Sequence, residues 1–252
     1  MNLQSNVYDH FKSVFDSYDM KGSWVTDESI LAKITSLCPD LTGCKVIDVG
    51  SGTGKVITKI CETFPNIHKA YALDFSEAML SKISNPLISK CISDVCAIPF
   101  GNQYFDVALT RQCLHYVEKL DQAISEIRRV LDQNGIFIFA QIVPFDESTV
   151  EYWRKIAEIR QPLRVHAFSA NEWISRIENN GFRLLDCHSC TTSNRVSDWV
   201  ASKKITDINR IEEYRKLFLN ASKHYKQNYN IVEKNADIFF SSNWIICSFR
   251  VR

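Results

Sequence analysis

Short apolar runs alternate with helical periodicity along most of the chain. Residues 45–50, 70–74 and 105–110 have the length and composition of buried strands. Between these runs, apolar residues recur at every third or fourth position, the spacing of a helix that packs one face on a sheet. This alternation predicts a mostly parallel sheet with helices on both faces.

Four further segments complete the predicted sheet. Strands are expected at residues 88–92, 135–143, 182–190 and 244–251. Asn134-Gly135 is expected to end the helix that precedes the fifth strand. The pattern therefore predicts an α/β, Rossmann-like fold with a seven-stranded sheet.

The two flanks of this core are predicted to be helical. The first 40 residues have helical character, and Thr26 is expected to cap a helix that ends before Pro39. Ser169 to Glu172 predicts a capping box. Residues from about 191 to 241 separate the last two strands, a length that is too great for an ordinary connection. We expect a helical insertion there.

Composition excludes several classes of protein. The 252 residues are 45% hydrophobic and 23% charged, as in soluble globular proteins. Thirty Lys and Arg residues balance 29 Asp and Glu residues, so charge does not favour a nucleic acid or an anionic membrane as partner. Since the N-terminus lacks an apolar run and no segment resembles a membrane span, we expect a cytoplasmic protein.

The nine cysteines are expected to be reduced thiols, because their number is odd and their spacing irregular. Cys187 and Cys190 have the separation of a metal-binding pair, but a second such pair is missing. No metal site is therefore predicted.

The clearest chemical signal is VIDVGSGTG at residues 46–54. Glycines at positions 50, 52 and 54 allow the backbone to turn tightly between a strand and a helix and to approach a ligand closely. Asp74 ends the next strand, 20 positions after Gly54. A carboxylate at that point can accept hydrogen bonds from both ribose hydroxyls of a nucleoside.

The spacing of the glycines distinguishes between nucleotide cofactors. The third glycine of the G-x-G-x-x-G pattern is missing, which disfavours NAD and FAD. The phosphate-binding Walker pattern is also absent, because Val56 follows Lys55 where Ser or Thr would be required.

Taken together, these segments resemble class I S-adenosylmethionine-dependent methyltransferases. VIDVGSGTG is similar to their first motif and ALDFSEAML, at 72–80, to their second. Residues 93–110 are similar to the third and fourth motifs, and residues 112–139 to the helix and strand that follow. The group with ubiquinone, menaquinone and biotin-pathway methyltransferases is most similar, over about residues 40–143.

The resemblance implies a role for each matching position. The backbone of Gly50, Ser51 and Gly52 would lie along the methionine part of S-adenosylmethionine. Asp48 would fix that loop and the cofactor amine, and Asp74 would hold the ribose hydroxyls.

The adenine and methionine ends of the cofactor would contact further residues. Asp94 would accept a hydrogen bond from the adenine amino group, beside the amide of Val95. The remaining expected cofactor contacts are Phe75 and Met79 at the adenine, Arg111 and Gln112 at the methionine end, and Tyr18 as a closing residue.

His115 is the candidate catalytic residue. It follows the fourth strand at the carboxyl edge of the sheet, where open α/β folds bind ligands. Its imidazole could deprotonate an acceptor near neutral pH. Packing or contact with the cofactor is the alternative role.

The sequence thus predicts one methyltransferase domain over residues 1–252, with a helical cap at 1–40, a cofactor-binding core at 41–143 and a substrate-side half at 144–252. The acceptor is expected to be a small molecule, either free or carrier-bound. An NAD-dependent oxidoreductase and a non-catalytic S-adenosylmethionine-binding protein are the alternatives. RNA is a weaker one, suggested by eight basic against four acidic residues over 200–234.

Overall fold

The computed structural model describes residues 3–14, 16, 18–19, 24–202 and 204–252. Within these ranges the strands are β1 Lys45–Val49, β2 Lys69–Asp74, β3 Ile88–Ile92, β4 Phe105–Arg111, β5 Leu131–Val143, β6 Phe182–Arg195, β7 Val232–Lys234 and β8 Asp237–Val251. The helices are α1 Leu3–Val14, α2 Glu28–Ser36, α3 Lys55–Thr63, α4 Glu77–Ser81, α5 Leu120–Val130, α6 Val150–Arg160, α7 Ala170–Asn179, α8 Val196–Ala201, α9 Ile208–Leu219 and α10 Lys223–Asn228.

The described strands form one sheet in the order β3-β2-β1-β4-β5-β8-β6, and β7 pairs with β8. Strands β1 to β5 pair in parallel, while β8 runs antiparallel to both β5 and β6. The predicted α/β class and mostly parallel sheet are confirmed. The sheet has eight described strands, since short β7 adds to the seven predicted ones.

Two apolar layers cover the sheet, one on each face. The first layer contains buried residues of α2, α3 and α6 together with the insertion helices α8 and α9. The second contains the buried stripes of α5 and α7. Helices therefore lie on both faces, as the alternation of strands and helices predicts.

The structure corrects two predicted helix boundaries. Helix α5 ends at Val130, and Leu131 already pairs with Phe105, so Asn134-Gly135 lies inside β5 and not at a helix end. Asp27, and not Thr26, caps α2, because its carboxylate accepts from the amides of Ser29 and Ile30. Local cap signals placed each boundary only to within a few residues.

The predicted insertion at 191–241 is too wide at both ends. Residues 191–195 of β6 pair with residues 239–243 of β8, so both strands continue beyond the predicted limits. The helices α8, α9 and α10 occupy residues 196–228. These extensions contain polar residues such as Thr191 and Ser241, so they lack the apolar run that predicts a strand.

All nine cysteines lie in the described part of the chain. Cys187 and Cys247 are register partners on β6 and β8 and are joined by a disulfide, while the other seven are free. The expectation of reduced thiols is wrong for this pair. The described residues contain no group of three or more His, Cys, Asp or Glu side chains that could hold a metal ion. None of the described helices combines the length and hydropathy that a membrane span needs.

The packing of α5 gives a stability prediction. Ile124 is fully buried between this helix and the sheet. Replacing it with Ala should lower the free energy of unfolding by about 2–5 kcal/mol, since the transfer energy is lost and a cavity remains. Urea titration measures this loss. Exposed Ser125→Ala is the control, with an expected change within about 0.5 kcal/mol. Equal stability of the two variants would show that α5 does not pack as described.

Candidate cofactor site

The turn that follows β1 has a backbone that requires glycine. Gly50, Gly52 and Gly54 adopt positive φ angles of 70°, 53° and 77°, a region that residues with a Cβ rarely enter. A Cβ on Gly50 would also overlap the side chain of Cys113. The amides of Gly50 and Ser51 donate to the carbonyl of Leu73 at 2.8 and 3.0 Å, which places this turn beside the end of β2.

The carboxylate of Asp74 connects the turns after β1 and β2. Its Oδ2 accepts from the Gly52 amide at 2.8 Å, and its Oδ1 accepts from the Ser76 amide at 2.9 Å. Burial raises the pKa of Asp74, while amide donors from Ser76, Gly52 and Phe75 lower it. Two fixed amides thus hold a carboxylate at the end of β2 with its oxygens in a defined orientation.

These turns form the floor of a cavity of about 340 Å³ at the carboxyl edge of the sheet. Its size is within the usual range for small-ligand pockets. All twelve residues that the sequence analysis assigned to the cofactor line this cavity: Tyr18, Asp48, Gly50, Ser51, Gly52, Asp74, Phe75, Met79, Asp94, Val95, Arg111 and Gln112. The structure brings them together, and their individual roles stay predictions.

One end of the cavity contains buried polar atoms that lack protein partners. Within the described residues, Asp48 Oδ2, Ser51 Oγ and Gln112 Nε2 make no hydrogen bond. Burial raises the pKa of Asp48 to about 7, against the lowering influence of the Arg111 guanidinium. Buried polar groups are normally satisfied, so these three atoms indicate a polar ligand group at this end.

Gln112 has a strained backbone at the same place. Its φ angle is 54°, a left-handed conformation that costs energy for a residue other than glycine. The Gln112 amide donates to the carbonyl of Ala140 at 3.0 Å, which holds the strained residue beside β5. Strain of this kind concentrates at ligand sites.

The N-terminal segment closes the cavity with aromatic rings. The ring of Phe11 on α1 lies 5.3 Å from that of Tyr116, 6.0 Å from that of Tyr18 and 6.4 Å from that of Phe75, between centroids. Arg111 Nη2 donates to the carbonyl of Val25 at 3.1 Å and ties this segment to β4. The segment is therefore part of the site.

Sequence reasoning missed several lining residues. Val7 and Phe11 of α1 and Cys113 and Tyr116 after β4 also line the cavity. The spacing of Val7, Phe11 and Val14 is that of one helix face and could have indicated that α1 packs on the core.

His115 does not belong to the described residues that line the cavity. Its side chain is buried, and its Nδ1 lies 3.1 Å from Gln141 Nε2. The same Nε2 is 3.4 Å from Gln112 Oε1, so two glutamines connect the imidazole to the cavity. The structure thus places His115 behind the wall of the site, and its catalytic role stays a prediction.

This fold and site define a Rossmann-like protein with a ligand-sized cavity at the carboxyl edge of its sheet, and known proteins resemble it as follows. Residues 47–139 match the family model described as a methyltransferase domain. The chain is similar to the uncharacterized methyltransferase YcgJ of Bacillus subtilis, with 23% identity over 62% of this chain and 64% of that protein. It is also similar to malonyl-[acyl-carrier protein] O-methyltransferase of Methylococcus capsulatus, with 30% identity over 54% of this chain and 47% of that protein. The chain spans less than two thirds of either relative.

Solved structures agree in fold. The YcgJ protein of Bacillus subtilis superposes with a TM-score of 0.81 at 19% identity, over 90% of this chain and 99% of that chain. The [4+2]-cyclase SpnF superposes with a TM-score of 0.65 at 15% identity, over 98% and 94% of the two chains. Through residues 47–139 the chain contains a methyltransferase domain, and the comparisons imply S-adenosylmethionine as its cofactor.

The residues of the cavity fit this cofactor. The unpartnered polar atoms of Asp48, Ser51 and Gln112 can meet an amino-acid group, and the Asp74 carboxylate can meet a pair of hydroxyls. Phe75 and Met79 supply apolar surface for a base.

Asp74→Ala tests the proposed hydroxyl contact. The variant should bind S-adenosylhomocysteine more weakly by about 1.5–3 kcal/mol, the usual contribution of hydrogen bonds to a charged group. Calorimetric titration measures the dissociation constant. Asp40→Ala is the control, because Asp40 is exposed and does not line the described cavity, and this variant should bind S-adenosylhomocysteine as the wild type does. An unchanged constant in a folded Asp74→Ala variant would remove this residue from the site.

Asp48 should make the stability of the ligand-free protein dependent on pH. Its pKa in the folded protein is about 7, above the value of about 3.9 for an unperturbed Asp, so the folded state holds the proton more tightly. The stabilisation is complete below the unfolded pKa and disappears as the pH rises through about 7.

Urea titrations of the wild type and Asp48→Asn across this pH range measure the effect. The stability of the wild type relative to the variant should fall as the pH rises, since the variant cannot ionise there. A difference that stays constant with pH would contradict the raised pKa.

Proposed function

We propose that this protein transfers a methyl group from S-adenosylmethionine to a small-molecule acceptor, either free or attached to a carrier. The observation that carries the proposal is the cavity itself, which is lined by the Asp74 carboxylate and by Asp48, Ser51 and Gln112 with their unpartnered atoms. The bound cofactor supplies a methyl group that its sulfonium already activates. The protein then mainly has to align the reactants and exclude water.

Each part of the cavity has a proposed task in this alignment. Asp74 accepts from the ribose hydroxyls, while the amides of Gly52 and Ser76 fix its orientation. Asp48 accepts from the amine of the methionine part. Asp94 and Val95 lie at the adenine, and the backbone of Asp94 is positioned because its carboxylate accepts from the Cys96 amide at 2.8 Å.

In this proposal, aromatic residues of the cavity lining exclude water from the cofactor. Phe11, Tyr18 and Tyr116 line the cavity, and the ring of Phe11 contacts each of the other two rings edge to face. Burial raises the pKa of the Tyr18 hydroxyl. A dry site strengthens the electrostatic interactions that hold the reactants.

The class of acceptor is supported by one relative. The similar protein of Methylococcus capsulatus is a methyltransferase for malonyl groups on acyl-carrier protein. A carrier-bound acceptor is therefore included in the proposal. An NAD-dependent oxidoreductase is disfavoured, because the third glycine of its pattern would fall at position 55 or 57, and Lys55 and the buried Ile57 stand there.

Transfer of labelled methyl groups tests the proposed function. The wild type is incubated with methyl-labelled S-adenosylmethionine and either a pool of small metabolites or malonyl-loaded acyl-carrier protein. We expect label in one of the two acceptors, and much less with Asp74→Ala. Tight binding of S-adenosylhomocysteine without transfer to either acceptor would instead indicate a non-catalytic binding protein.

The role of His115 has a separate test. If it is the general base, His115→Ala should lower kcat by about 10²–10⁴ and leave the affinity for the cofactor unchanged. The rate should then rise with pH through a group near 6.5, the reference pKa of imidazole. If His115 instead positions Gln112 through Gln141, the variant should weaken cofactor binding and keep the pH profile. One pH series for each protein separates these roles.

A further inference from the structure

Two arginines lie behind the wall of the cofactor cavity. Arg160 ends α6, and Arg164 follows in the loop that leads to α7. Arg164 Nη2 is 3.4 Å from Gln112 Oε1, and Gln161 Nε2 donates to the Tyr116 hydroxyl at 3.0 Å. Since Gln112 and Tyr116 both line the cavity, the arginines border the site from the side of α6.

Arg160 is buried without an acidic partner. It is 7% exposed, and its Nε and Nη2 make no hydrogen bond within the described residues. Its Cζ lies 4.0 Å from the centroid of the Trp199 ring, a cation–π contact that does not neutralise the charge. In the described part of the chain, neither Arg160 nor Arg164 forms an ion pair with a carboxylate.

Burying two arginines that lack an acidic partner lowers the stability of the fold when no anion is bound. Burial lowers the pKa of Arg160, and the same cause lowers that of Arg164 to about 10, with a further contribution from the neighbouring Arg160 charge. Arg164 therefore remains cationic at neutral pH, and the guanidinium of an arginine such as Arg160 is not deprotonated in proteins. Buried charges are normally paired, because the loss of hydration is otherwise uncompensated.

The rest of the chain shows that acidic partners are available for arginines. Arg154, on the same helix as Arg160, pairs with Glu151 at 2.7 Å, and Arg176 pairs with Asp121 at 2.8 Å. Among the described arginines that lack an ion pair, Arg183 and Arg250 are exposed to water, whereas Arg160 is buried beside the cavity.

We propose that Arg160 and Arg164 bind an oxyanion, a carboxylate or phosphate group, of the methyl acceptor. This inference rests on the proposed function, since it assigns the charge of that acceptor. The planar guanidinium presents parallel N–H groups that match two oxygens of such an anion.

The cofactor's own carboxylate is a different anion. Arg111 lines the cavity, whereas Arg160 and Arg164 stand outside the described lining, behind Gln112 and Tyr116. Loss of the Arg160 charge should therefore weaken binding of the acceptor anion and leave the affinity for S-adenosylhomocysteine unchanged.

Anion titration tests the proposal without knowledge of the acceptor. Malonate and inorganic phosphate are titrated separately into the wild-type protein saturated with S-adenosylhomocysteine, with calorimetry or thermal shift as readout. We expect saturable binding of one of them, and the preferred probe identifies the oxyanion as a carboxylate or a phosphate. Arg160→Gln should weaken that binding by about tenfold or more, as expected for a lost charge-assisted pair.

Further variants keep the test decisive. Arg160→Lys retains the positive charge but lacks the parallel N–H groups of the guanidinium. It should bind the anion more weakly than the wild type and more tightly than Arg160→Gln. Arg164→Gln gives an independent measurement should Arg160→Gln fail to fold. Exposed Arg154→Gln is the matched control from the same helix and should bind the anion as the wild type does.

Three results would overturn the inference. The first is that the wild type binds neither anion. The second is that Arg160→Gln or Arg164→Gln binds the anion as tightly as the wild type does, and the third is that these variants lose affinity for S-adenosylhomocysteine. The last result would assign the arginines to the cofactor. Failure of the wild type to bind S-adenosylhomocysteine at all would instead overturn the proposed function.

Discussion

The buried carboxylate of Asp74 is the connection on which the cofactor cavity depends. It accepts from the amide of Gly52 in the turn after β1 and from the amide of Ser76 at the start of α4. Because β1 and β2 are parallel neighbours, their carboxyl ends meet, and one side chain can bridge both turns. The turn after β1 must approach so closely that Gly50 leaves no room for a side chain beside Cys113.

Charge is distributed around this bridge in two separate zones. Acidic side chains, Asp48 and Asp74, stand on the sheet side of the cavity, where the cofactor would present its amine and hydroxyls. Arg160 and Arg164 stand behind Gln112 and Tyr116 and form no ion pair with a carboxylate in the described residues. Acidic and basic groups at different places around one site would orient an acceptor relative to the cofactor before any chemistry occurs.

The sequence was most informative where function constrains the backbone locally. The glycine turn and the acid at the end of the second strand follow from spacing alone, and the resemblance extended these two signals to twelve positions that all line the cavity. Strand β3 was also predicted at its observed bounds, Ile88–Ile92. Local pattern was sufficient there because each feature depends on residues close together in the chain.

Features that depend on distant contacts were not predictable in this way. Leu131 enters the sheet because it pairs with Phe105, and the extensions of β6 and β8 exist because they pair with each other. The position of His115 behind the cavity wall follows from its contact with Gln141 on β5, 26 residues away. The lack of an acidic partner for Arg160 likewise depends on the side chains that α8 places beside it, such as Trp199. A local sequence pattern cannot predict this contact.

Comparative titration of the wild-type protein with S-adenosylhomocysteine and with NADH distinguishes a methyltransferase site from a dinucleotide site. We expect one saturable site for S-adenosylhomocysteine and no comparable binding of NADH, because the cavity has the acidic anchors of a nucleoside site without the third glycine of a dinucleotide site. Saturable binding of NADH together with no binding of S-adenosylhomocysteine would contradict this expectation.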